Sequence, residues 1–220
     1  MARVANGTLA GLNGNMGDMI FYQINGITYV RRKPQKRSNA QKKWMKKSPI
    51  NERSQGMFSA VHDYLKGLTQ VIRFGFQGEA NGARHAYHAC VSFTRMNCFS
   101  LTGQEYQIDP ALFKISRGTL MGPENPKAER TSEGVMFTWK DNSWTSSAKP
   151  QDIAFLVIHN PKQKIAYCEE MGSTRSQEEH LLSYKFGNSG GEWHAYLAFS
   201  QENPRAKKLI LSDSVYLGIV

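Results

Sequence analysis

Residues 153–160 read IAFLVIHN. Six consecutive apolar residues leave both alternations of a strand apolar, since successive side chains point to opposite faces. Such a strand must be covered on both sides. The run predicts a central strand over about 152–159, with packed layers above and below it.

The flanking segments are patterned on one face. EGVMFTW (133–139) sets Val135, Phe137 and Trp139 on one side, and GEWHAYLAF (191–199) does the same with Trp193, Ala195, Leu197 and Phe199. Strands are predicted near 112–117, 134–140, 152–159, 164–170, 180–186, 192–199 and 211–219. The breaks between them are MGPENPKAERTSEG, DNSWTSSAKPQ, NPKQ, GSTRSQEE, GNSGGE and QENPRAKK. Short strands separated by turn residues predict an antiparallel β-sandwich of the immunoglobulin or fibronectin type III kind. The three cysteines, Cys90, Cys98 and Cys168, lack CxxC spacing and supply no inter-sheet disulfide. That favours the fibronectin-like version, and reduced thiols in a cytoplasmic protein.

Upstream, the pattern is helical. Met57, Phe58, Val61, Tyr64, Leu65, Leu68, Val71 and Ile72 follow helical spacing and predict a helix over 51–73, with Ser48-Pro49 as its start and Gly67 inside it. A second helix is predicted over 83–98, pairing with the first. Further upstream, Asn25-Gly26 between two β-prone runs predicts a hairpin of strands 18–24 and 27–32, because a type I′ turn needs positive φ at both central positions. The fold class is therefore α+β. An N-terminal β-hairpin, a basic segment and a helical pair fill 1–104, and the sandwich fills 105–220.

Charge is concentrated in one place. Residues 31–53 carry ten Lys/Arg against the single acid Glu52, so they supply +9 of the formal +10. The other 197 residues hold 18 Lys/Arg and 17 Asp/Glu. The candidate contacts for a polyanion are Arg31, Arg32, Lys33, Lys36, Arg37, Lys42, Lys43, Lys46 and Lys47. On a helix over 39–47, the four lysines form a cationic stripe suited to phosphates. Trp44 lies among them. It reads first as an anchor, since a lone Trp is usually packed, and otherwise as a platform for a base.

The N-terminal segment NGTLAGLNGNMGDMIFYQINGITYVRRKP resembles the signature of an uncharacterised family of Bacteroidetes-type bacteria. The matching positions are Gly7, Gly11, Gly14, Gly17, Asn25, Gly26, Tyr29, Arg31 and Pro34. FTWKDNS (137–143) and the ending LSDSVYLGIV, with Ser212, Asp213, Ser214, Tyr216 and Gly218, resemble further family segments. The resemblance implies a domain of unknown function. It brings no catalytic residues.

Chemistry-bearing motifs are sparse. His85 and His88 at i, i+3 with Cys90 nearby lack a second ligand cluster, so no metal or cofactor is predicted. GLNGNMGD lacks the Lys-Ser/Thr of a phosphate loop and precedes a strand. Adjacent acids at Glu169-Glu170 and Glu178-Glu179 point to opposite strand faces. No secretory signal and no apolar run long enough for a membrane span is evident. The expected role is a non-enzymatic, cytoplasmic binding or structural protein whose partner is nucleic acid or an acidic protein surface. The alternative is a subunit of a homo-oligomer or larger assembly of virion or injection-machine type. A third reading, an enzyme using His85, His88 and Cys98, predicts bound metal.

Overall fold

The structure is a computed structural model. It describes every residue except 1, 5–8, 25, 47, 82–83, 101–105, 185–190 and 204–207. The chain forms two compact units, residues 1–55 with 80–84 and residues 56–79 with 85–220.

The first unit is an open antiparallel sheet followed by a short helix. Strands β1 (Ala2–Val4), β2 (Gly14–Met16), β3 (Met19–Ile24) and β4 (Ile27–Arg32) lie in the order β1-β4-β3-β2. The β3–β4 hairpin closes over two residues, with Ile24 opposite Ile27. Gly26 supplies φ of 76°; Asn25, the other central residue, lies outside the described residues. The glycine-rich start is itself part of the sheet. Gly17, at φ 57°, turns β2 into β3, and the Gly11 N–H donates to Thr28 Oγ1 at 2.9 Å. Helix α1 (Asn39–Lys46) starts at a capping box. The Gln41 N–H donates to Ser38 Oγ, and the Ser38 N–H donates back to Gln41 Oε1. At its other end the Asn51 side chain donates to the Met45 carbonyl at 3.1 Å.

The second unit has three layers. Its helical layer is the end of α2 (Pro49–Tyr64), α3 (Thr69–Gly75) and α4 (Ala86–Asn97). A small ladder, β5 (Phe99–Ser100) with β6 (Gln107–Ile108), follows α4. A three-stranded sheet comprises β7 (Glu124–Arg130), β8 (Gly134–Lys140) and β11 (Glu179–Ser183), in the order β11-β8-β7. Between the two lies a sheet of β9 (Ile153–Asn160), β10 (Ile165–Glu169), β12 (His194–Asn203), β13 (Lys208–Leu211) and β14 (Val215–Ile219). Its order is β10-β9-β12-β13, with β14 also on β12. All named pairs are antiparallel, so the chain is a mixed α+β protein.

The double patterning of 153–160 has a direct cause. Phe155 and Val157 face the helices with Val61, Leu65, Leu68, Ile72, Phe76 and Cys90. Ala154, Leu156 and Ile158 face the three-stranded sheet with Val135, Phe137, Trp139 and Leu182. Strand β12 alternates the same way. Tyr196 and Ala198 turn to the helices, and Ala195, Leu197 and Phe199 turn to the sheet.

Four expectations need correction. The helix over 51–73 is two helices, because Gly67 takes φ of 84° and ends the first. A Cβ there would also collide with the Lys164 carbonyl oxygen. Gly67→Ala is expected to cost about 2 kcal/mol or more, read as a lowered denaturant midpoint. Residues 112–117 form no strand. Phe113 and Ile115 are buried, and the Ile115 N–H is met by Ser214 Oγ at 2.9 Å. The segment 211–219 holds parts of two strands, broken where Ser212 Oγ accepts the Phe199 N–H. Finally, part of MGPENPKAERTSEG is strand β7. Its proline, Pro126, fits because β7 is an edge strand whose register shifts between Glu124 and Lys127, with Asn125 at φ 47°. The helical pair expected within 1–104 shares its core with the central sheet, so residues 56–79 and 85–98 belong to the second unit.

Candidate nucleic-acid interface

The basic residues occupy three consecutive pieces of the first unit. Arg31 and Arg32 end β4, opposite Ile20 and Met19. The Arg31 guanidinium lies 5.8 Å from the Tyr22 ring centroid, a cation–π distance, and Tyr22 stacks on Tyr29. The Lys33 N–H donates to the Asp18 carbonyl, which extends the strand pairing one residue. Lys36 and Arg37 follow in irregular backbone after Pro34. Lys42 and Lys43 project from α1, and Lys46 is its last residue. Lys47 lies outside the described residues.

Arg31, Arg32, Lys33, Lys36, Arg37, Lys42 and Lys43 are all exposed. Among the described residues none of the seven forms an ion pair with a carboxylate. Their charge is therefore available to an outside partner.

Trp44 is 74% exposed. The anchoring expectation is corrected: the ring stands exposed on α1, which shares a cleft with the 34–37 segment. Together they bound a cleft of about 820 Å³, lined by Lys36, Arg37, Gln41, Lys42, Trp44 and Met45 among others. Cationic side chains and an aromatic face thus share one concave surface.

The sulfur and imidazole candidates look different. His85 precedes α4 and His88 lies in its first turn, with ring centroids 5.7 Å apart. Cys90 is buried, 3.8 Å from Thr94 Oγ1, and the Cys98 thiol donates to the Leu112 carbonyl at 3.2 Å. Burial pushes both thiols up to about 12, so both stay protonated at neutral pH and are poor nucleophiles. Among the described residues no three His, Cys, Asp or Glu side chains gather as a metal site would require.

One constellation escaped the sequence. His180 Nε2 lies 2.9 Å from Glu169 Oε2, and Nδ1 lies 3.0 Å from Ser173 Oγ. The order resembles a serine–histidine–acid relay, but the Ser173 N–H also donates to Nδ1 at 2.9 Å. That bond occupies the lone pair a general base would use. The arrangement ties the 170–178 loop to β11. Nothing in the spacing of Glu169, Ser173 and His180 marks it, since β10 and β11 belong to different sheets.

LSDSVYLGIV (211–220) and FTWKDNS (137–143) also act as clasps. Ser214 and Ser212 hold residues 115 and 116 through their side chains and backbone, and Asp213 Oδ1 accepts the Gly118 N–H at 3.2 Å. In FTWKDNS, the Trp139 indole donates to the Arg175 carbonyl at 2.7 Å, and Asn142 Oδ1 accepts from the Arg175 guanidinium.

These features define a mixed α+β protein whose first unit carries open charge beside the exposed Trp44. The chain belongs to the family described as "Family of unknown function (DUF6266)", whose model matches residues 11–218. No curated protein and no solved structure matches it.

Proposed function

We propose that the protein is a non-enzymatic nucleic-acid-binding protein, working in the cytoplasm, whose contact surface is the basic segment with α1. The observation that carries this reading is the cleft that Lys36, Arg37 and Lys42 line together with an exposed Trp44. Unpaired cations attract phosphates and release their counterions, a force that is independent of base sequence. The second unit serves as the rigid body. A fibronectin type III-like sandwich is the finer reading of its fold. Strand order supports it: lettered along the chain, β11-β8-β7 becomes E-B-A, and β10-β9-β12 with β13 and β14 becomes C′-C-F-G.

The test removes charge in two places. A variant with Lys36, Arg37, Lys42 and Lys43 changed to Gln is expected to bind a labelled oligonucleotide at least about a hundredfold more weakly at low salt. A control with Arg73, Lys127, Lys149 and Lys162 changed to Gln loses the same charge from the second unit. It is expected to bind within about threefold of wild type if the basic segment is the contact. Equal weakening of both variants would reduce the effect to net charge and remove the proposed site.

A second reading, a subunit of a larger assembly, has its own observation. Of the described residues in the first unit only Phe21 and Thr28 are buried, while Leu9, Leu12, Met16 and Met19 are exposed. An open sheet with apolar side chains in solvent is the kind of surface a neighbouring subunit covers. Light scattering on the purified protein distinguishes the readings: a large, nucleic-acid-free oligomer supports assembly.

A further inference from the structure

We infer that the ligand of the α1 cleft is single-stranded rather than duplex nucleic acid, with one unstacked base lying on Trp44. This rests on the nucleic-acid reading above and deepens it. Phosphate attraction alone does not choose between strand states, because both present a charged backbone. The aromatic face does. In a duplex the base faces are covered by their neighbours, so a protruding indole meets only sugar–phosphate or groove edges. A single strand can turn a base out onto an aromatic ring.

The geometry supplies what that mode needs. The indole is on the surface, and Lys36, Arg37 and Lys42 line the same cleft, so a strand whose base sits on the ring has its phosphates beside cations. Pro34 and Gln35 line the same cleft, so the 34–37 segment and the helix share its surface. Stacking requires no particular base, so the preference is for strand state and not for sequence. Arg37 adds a planar guanidinium, which itself stacks on bases.

The chain has a second exposed tryptophan, Trp144, 77% exposed in a turn of the second unit, which serves as the internal control. Trp139 and Trp193 are buried and will not report on a surface ligand. The experiment measures affinity of the 220-residue chain for oligothymidylate, for a duplex of equal length and for inorganic polyphosphate. Wild type, Trp44→Ala and Trp144→Ala are compared, and tryptophan fluorescence is recorded in the same titrations. The expected result is tighter binding of oligothymidylate than of duplex, with quenching that disappears in Trp44→Ala. The same variant should lose about tenfold to a hundredfold in affinity for oligothymidylate. It should keep its affinity for duplex and polyphosphate within about twofold, and Trp144→Ala should match wild type throughout. Equal binding of strand and duplex, or a Trp44→Ala loss shared by all three ligands, would overturn the single-strand inference and leave the basic contact standing. Binding of polyphosphate but of neither oligonucleotide would overturn the inference together with its nucleic-acid basis. No binding of any ligand would overturn both readings.

Discussion

Replacing Arg175 with Met is expected to destabilise the protein by about 3–5 kcal/mol, the range measured when one partner of a buried ion pair is removed. Arg175 is fully buried. Its guanidinium donates from Nε to Asp152 Oδ2 at 3.1 Å, from Nη2 to the Met121 carbonyl at 2.8 Å, and from Nη1 to the Gly122 carbonyl and Asn142. It lies 3.8 Å from the Phe199 ring centroid. Desolvation pulls the guanidinium pKa down and Asp152 opposes that pull, but the group keeps its proton. Without it, Asp152, itself buried, keeps only neutral donors: the Lys149 N–H and Gln201 Nε2. Three loops would lose their common tie. A domain holds about 5–15 kcal/mol in all, so the variant is expected to unfold at a much lower urea concentration. Asp152→Asn should couple strongly to Arg175→Met in a double-mutant cycle; additive losses would contradict the shared network.

Acid should act through His159. Its ring is fully buried on β9, and neither nitrogen meets a partner among the described residues. His194 sits directly across on β12, and the Tyr64 ring lies edge-on with its centroid 5.1 Å away. Burial, with a smaller push from His194, lowers the His159 pKa from 6.5 to about 3. Burial lowers that of His194 as well. Between those two values the unfolded chain takes up a proton at His159 and the folded chain does not. Stability is thus full above about pH 6.5 and is lost as pH falls toward 3. The loss from His159 should reach about 2 kcal/mol at pH 5. His159→Leu should fold about as well as wild type at pH 7, since the deleted nitrogens have no partners to lose, and should flatten the acid limb. An unchanged limb in urea titrations at pH 7 and pH 5 would assign the acid sensitivity elsewhere.

Arg175 shows where the sequence falls silent. It sits in GSTRSQEE, a stretch of turn formers, and a loop arginine ordinarily points to solvent. Its burial comes from loops that arrive from residues 121, 142 and 152, so local pattern carries no trace of it. Strand β9 is the opposite case. Its two apolar faces are written in consecutive letters, and each face found its layer. The identity of those layers was not legible. Helical periodicity showed that α2, α3 and α4 have apolar sides, yet nothing local told them to cover the central sheet. Strand β7 was hidden because its stretch holds Pro123 and Pro126; the first lies just before the strand, and the edge position makes the second tolerable.

The candidate interface was legible as charge and illegible as shape. Composition alone located Arg31 to Lys47, because charge is a property of residues. Whether Trp44 packs or stands free depends on how little of α1 has a neighbour. The Ser38–Gln41 capping box fixes where that helix begins.

The most direct test is the salt dependence of binding to a single strand, for wild type and for a variant with Lys42, Lys43, Lys46 and Lys47 changed to Gln. Log affinity falls with log salt by about 0.7 per phosphate neutralised on a single strand. The basic-segment account predicts a steep wild-type slope that becomes shallower by about 0.7 for each lysine that meets a phosphate. Identical slopes for the two proteins, or no binding by wild type at low salt, would contradict it.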